Sequence, residues 1–114
     1  MSLPVHVHAD ALDELEEAAA WYEARRAGLG FEFAAEIERV VASISERPLT
    51  FQQWKRDDPV RRALAGRFPY AVFYDVEPQR VVVMAISHLS RRPGYWGGRV
   101  KPPRRTQIDE EEGP

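Results

Sequence analysis

Two runs rich in β-branched and aromatic residues, Phe68-Pro69-Tyr70-Ala71-Val72-Phe73-Tyr74 and Arg80-Val81-Val82-Val83-Met84-Ala85-Ile86-Ser87-His88, are separated by Asp75-Val76-Glu77-Pro78-Gln79. Side chains of this kind fit a pleated, packed surface, and Asp and Pro favour a chain reversal, so the pair reads as an antiparallel hairpin. This stretch constrains the rest, because a hairpin alone is only marginally stable and needs further strands and a covering layer. A basic and aromatic segment follows His88 at once. One titratable ring, three arginines (Arg91, Arg92, Arg99) and two aromatics (Tyr95, Trp96) therefore gather at the end of a rigid element.

The chain before the hairpin supplies the covering layer. Leu3-Pro4-Val5-His6-Val7-His8 alternates like a half-buried strand, and because Pro4 lacks an amide donor the strand begins at an edge or has its start unpaired. His6 and His8 share a face by parity, but no third metal ligand is evident, so a metal is not expected. Asp10 is the candidate cap of a helix whose first turn carries Asp13 and Glu14, where the dipole favours negative charge. Leu12, Leu15, Ala18, Ala19 and Tyr22 form its apolar stripe, with Trp21 off centre. Gly28 and Gly30 stop it. A second helix is predicted from about Phe31 to Arg47, with Phe33, Ile37, Val40, Val41 and Ile44 buried and Pro48 ending it. A short glycine-containing turn makes the two helices nearly antiparallel.

Leu49 to Pro59 is irregular, anchored by Phe51 and Trp54, and Val60 to Leu64 is a short strand turned by Gly66 into the hairpin. The predicted class is α+β: an N-terminal strand, an antiparallel pair of helices and a three-stranded antiparallel meander, in one layer of helix on one of sheet. The length suits one domain, placed at residues 1–99, with 100–114 as a flexible charged tail. No apolar run reaches the roughly 18 residues a bilayer span needs, and no signal peptide or cysteine is present, so a cytoplasmic protein without membrane association is expected.

Net charge is only −2, yet residues 1–54 carry −6, residues 55–105 carry +8 and the last nine carry −4. That asymmetry points to a basic face suited to polyanions. The plainer alternative is that arginines merely solubilise the strand ends. The acidic tail complements the basic stretch, which raises self-inhibition as a further expectation.

Several stretches together carry a resemblance. Leu15-Glu16-Glu17-Ala18-Ala19-Ala20-Trp21-Tyr22-Glu23, Leu29-Gly30-Phe31-Glu32-Phe33, Phe68 to Tyr74, and His88 with Arg91-Arg92-Pro93-Gly94-Tyr95-Trp96 and Arg99 occur in one order across residues 3–99. In this the chain resembles the RelE/ParE superfamily of toxins from type II toxin–antitoxin systems. The resemblance implies a toxin held inactive by a cognate antitoxin in a hetero-oligomer, with no cofactor. Trp21, Tyr22 and Phe31 are the candidate antitoxin contacts, being more aromatic surface than two helices need to cover one sheet. For Tyr22 a place in the core is the competing reading.

The resemblance implies two modes of action. ParE-like members poison DNA gyrase as binding proteins, and this is the main expectation here. RelE-like members cleave mRNA on the ribosome without metal, using cations at the phosphate and a proton carrier of near-neutral pKa. For that chemistry His88 (intrinsic pKa about 6.5), Arg91 and Tyr95 are the candidate catalytic residues. Arg61, Arg67, Arg92, Trp96 and Arg99 are candidate target contacts, with Tyr95 or Trp96 able to stack a base. Arg61 and Arg62 point to opposite faces, so at most one joins the site. Ala71 stands where many nucleases of the superfamily carry an arginine aimed at the scissile phosphate, a departure that favours the gyrase mode. A non-toxic, antitoxin-binding member is the third possibility. By parity His88 shares a face with Val82, Met84 and Ile86, which also permits a purely structural histidine. For Tyr95 and Trp96 the competing reading is that they fold back to cover the sheet.

Overall fold

A computed structural model describes residues 2–99. Six elements follow in order: β1 (Val5–Val7), α1 (Ala9–Arg25), α2 (Leu29–Glu46), β2 (Arg61–Leu64), β3 (Tyr70–Val76) and β4 (Val81–His88). The predicted tail lies outside the described residues, apart from which every predicted element is present. Strand order is β1-β4-β3-β2. The last three strands form the expected antiparallel meander. β1 takes the expected edge position but runs parallel to β4, making the sheet mixed and four-stranded. The chain passes from β1 to the parallel β4 through both helices, β2 and β3. Among the described residues, no helix is long and apolar enough to cross a membrane.

Helix α1 starts one residue before Asp10, and its cap is His8, whose Nδ1 accepts the Asp10 amide at 3.0 Å. Asp10 is thus a first-turn residue and not the predicted cap. Of the predicted stripe, Leu15, Ala18, Ala19 and Tyr22 pack in the core, but at the helix start Ala11 is fully buried in place of Leu12, which is 43% exposed. A methyl group at the contact lets the helix axis approach the sheet, and the bulkier leucine lies outside.

The interhelical turn works differently from the expected double stop. Gly28 adopts φ 89° before α2, a conformation glycine accepts without a Cβ penalty. Gly30 lies inside α2, where a Cβ would come within 2.5 Å of the Ala19 carbonyl oxygen. It allows close helix–helix approach and does not end a helix. The Glu23 carboxylate accepts the amides of both glycines at 3.0 Å, satisfying donors that a helix N-terminus leaves open. Phe33, Ile37, Val40 and Ile44 are buried as predicted.

The sheet is covered on both faces. The helices pack over Val72, Tyr74, Val81, Val83 and Ile86, forming one core cluster. On the opposite face Ala71, Phe73, Val82, Met84 and Ala85 meet Val60 and Trp96, with Trp54 and Tyr95 beside them. Residues Val81 to Ser87 are all buried, which explains why β4 reads as a continuous apolar run instead of an alternation. The register slips between Phe73 and Tyr74, which face Ala85 and Val83 and leave Met84 without an opposite residue. Such a bulge turns every later side chain to the other face.

Candidate functional site

The bulge decides where His88 goes. Simple parity groups it with Val82 and Met84, but beyond the bulge β4 presents Ile86 and His88 on the helix side. His88 is therefore paired with Tyr70 across the strands, and their rings lie 5.1 Å apart, edge to face. Its Nδ1 meets the Ser90 amide at 3.0 Å and the Ser90 hydroxyl at 2.8 Å. Accepting a backbone N–H makes Nδ1 the unprotonated nitrogen of the neutral ring, so the proton sits on Nε2. The ring lines a groove of about 550 Å³ between α1 and the ends of β3 and β4, with Glu14, Trp21, Tyr70 and Arg91 among its walls.

Of the predicted cations, two come near this groove, and both are held by one carboxylate. Arg91 Nη1 lies 3.3 Å from Glu14 Oε2. Arg99 donates Nη1 to Glu14 Oε1 at 3.2 Å and Nη2 to Oε2 at 3.1 Å, and lies 3.6 Å from Asp10. Arg91 also stacks 3.5 Å over the Tyr95 ring, with Arg99 5.1 Å from the same ring. The Tyr95 hydroxyl is buried without a hydrogen bond of ordinary geometry. Burial pushes its pKa up, while Ser87 and Glu14 act on it in opposite senses.

Glu14 is the organising residue that sequence reasoning missed. With Asp10 read as the cap, Glu14 falls in the first turn, where the helix dipole alone explains an acidic residue; with α1 starting at Ala9 it lies beyond that turn. Only the path of residues 89–99 back towards α1 reveals its second role.

The remaining candidates lie elsewhere. Arg61 donates to the Phe51 carbonyl at 2.6 Å on the outer strand β2, and Arg67 is paired with Glu32 at 3.0 Å. Arg92 lines a separate hollow with Trp54 and Lys55. Trp96 is 2% exposed and stacks 4.0 Å from Phe73, so it offers no open face to a base and serves as core. Ala71 is fully buried in the cluster on the far side of the sheet, away from His88.

The helical aromatics divide in two. Tyr22 belongs to the core, 5.1 Å from Phe33 and 4.9 Å from Phe68. Trp21 is 53% exposed, with the Arg25 guanidinium 3.7 Å over its ring, and Phe31 is 78% exposed. Among the described residues, no group of three or more His, Cys, Asp or Glu could hold a metal ion.

The architecture has solved counterparts. A chain from the chromosomal ParDE toxin–antitoxin system of P. aeruginosa superposes with a TM-score of 0.68 at 12% identity, covering 76% of this chain and 96% of that one. At that identity the likeness establishes the fold alone. No curated protein sequence matches. The family described as ParE toxin of the type II toxin–antitoxin system parDE matches residues 5–93. With that match spanning most of the sequence and the strand–helix–helix–meander fold beneath it, the chain belongs to the ParE toxin family of type II toxin–antitoxin systems.

Proposed function

We propose that this toxin acts as a binding protein that inhibits DNA gyrase and traps its cleaved-DNA complex, and that its cognate antitoxin neutralises it in a hetero-oligomer. Such a target implies action in the cytoplasm. The observation that carries the reading is the placement of the arginines that could replace the one absent at Ala71: Arg61 is tied to the Phe51 carbonyl and Arg67 to Glu32, and neither lines the groove of His88. Phosphodiester cleavage needs cations that meet a developing pentavalent phosphate and a proton carrier near neutral pKa. In the resting protein Arg91 and Arg99 hold the Glu14 carboxylate, and burial pushes the Tyr95 pKa up.

For the antitoxin, Trp21 and Phe31 are the proposed contacts, since large exposed aromatics make effective anchors in an interface. Tyr22 supports that surface from beneath. The RelE-like reading has one observation in its favour, the presence of His88 and Arg91 on one groove wall.

Purified gyrase distinguishes the two. Addition of the toxin is expected to block supercoiling and to accumulate cleaved DNA, and addition of antitoxin to reverse both effects. Unchanged supercoiling with folded toxin in excess would refute the proposal.

A further inference from the structure

The outer edge of β4 is only half covered. β1 pairs with Val81 to Val83 and then ends. Along the covered part, the Val81 amide donates to the Pro4 carbonyl and the Val83 carbonyl accepts from the His8 amide. Past that point two side chains replace the missing strand. The Met84 carbonyl accepts from Arg99 Nη1 at 2.8 Å, and the Ile86 amide donates to Glu14 Oε1 at 3.0 Å. A carboxylate and a guanidinium joined to one another thus supply the acceptor and donor that a neighbouring strand would provide. Uncapped edge groups of this kind invite pairing with another chain.

The same pair fastens the segment that follows β4. Residues 89–99 leave His88, bury Trp96 on the far face and return to α1 through Arg99. Glu14 and Arg99 are largely shielded, at 12% and 15% side-chain exposure, whereas Arg91 is 53% exposed. Arg91 and Arg99 face Glu14 and Asp10, so the cluster is close to neutral, and Glu17 adds negative charge to the groove wall. A shielded two-point pair between guanidinium and carboxylate is stronger and more directional than an exposed contact. An approaching anion therefore meets cations already compensated.

We propose that Glu14 is an autoinhibitory latch. It seals the free part of the β4 edge, holds residues 89–99 against α1 and masks Arg91 and Arg99 until an anionic surface outcompetes its carboxylate. This holds whichever macromolecule the toxin attacks.

Glu14→Gln tests it, because the amide oxygen still accepts the Ile86 amide while the charge is gone. A single-stranded DNA oligonucleotide serves as the anionic probe, titrated against both proteins over a range of salt. The variant is expected to bind several-fold more tightly at low salt. Its log–log salt slope should stay near that of the unaltered chain, because both complexes engage the same phosphates once the latch is open. A purely structural role for Glu14 would give no gain in affinity. Equal or weaker binding would overturn the proposal, as would absence of binding by both proteins. Should Glu14→Gln fail to fold, hydrogen exchange on the unaltered chain decides. With saturating oligonucleotide, the Ile86, Gly97 and Arg99 amides are expected to lose protection together, and retained protection would overturn it.

Discussion

Trp96 shows how one side chain can be misread without its path. In sequence it belongs to a basic, glycine-containing segment after a strand, where an indole suits base stacking as well as core. The fold settles its place, burying it against Phe73 with Trp54 at 5.4 Å. Trp96→Ala is accordingly expected to cost about 3–5 kcal/mol, the range for removing a large buried aromatic, measured by urea denaturation. A loss within about 0.5 kcal/mol, the range of an ordinary surface change, would contradict that assignment. Gly30 makes a sharper case: Gly30→Ala must push α2 off the Ala19 carbonyl, so the melting temperature should fall even though alanine is the better helix former. Residue identity was legible where chemistry is local, as at Phe33 and Ile37. It failed at His88 because the Met84 bulge reverses facing without leaving a mark in the hydrophobic pattern.

Elements were more legible than residues, since apolar periodicity and turn chemistry are properties of short stretches. What escaped were the ties between elements, which join residues far apart in the chain. The Glu36 carboxylate on α2 accepts from Arg39 and from the Gly66 amide in the β2–β3 turn. The Arg39 hydrogen bond first, then the Gly66 amide, holds its pKa below the usual 4.5. A carboxylate whose pKa is lowered by folding stabilises above its unfolded value and loses that contribution as pH falls through the folded one. Glu36→Gln should therefore lower stability at neutral pH and flatten its decline below about pH 4.5 in acid denaturation curves; an unaltered acid limb would refute the tie. Tyr74 behaves oppositely. Its hydroxyl donates to the Pro48 carbonyl at 2.6 Å, and burial pushes its pKa up to about 12. A phenol raised by folding stabilises fully below its unfolded value near 10 and loses that contribution as pH climbs through about 12. Tyr74→Phe should be less stable at neutral pH and should remove part of the alkaline destabilisation over that window, followed by circular dichroism; an unchanged alkaline limb would contradict the assignment.

At the scale of the whole molecule, the proposed antitoxin contacts lie on the helical layer, apart from the segment after β4. Trp21 and Phe31 stand outside the core, so replacing both with alanine should leave stability within about 0.5 kcal/mol per site. The same change should weaken antitoxin binding by at least about 2 kcal/mol, the level of an interface anchor. Calorimetry with purified antitoxin would measure this, and undiminished affinity would move the contact elsewhere. The uneven charge was visible in the sequence. Its local cancellation by Glu14 was not, because it depends on residues 89–99 folding back across some eighty positions of chain. A binding toxin is favoured over a nuclease because Arg61 and Arg67, which could replace the arginine absent at Ala71, are tied elsewhere on the surface. Mapping mRNA ends in cells expressing the toxin without antitoxin tests this most directly. Growth arrest with messages as intact as in uninduced cells is the expected result, whereas codon-positioned cuts abolished by His88→Ala would contradict a binding mode of action.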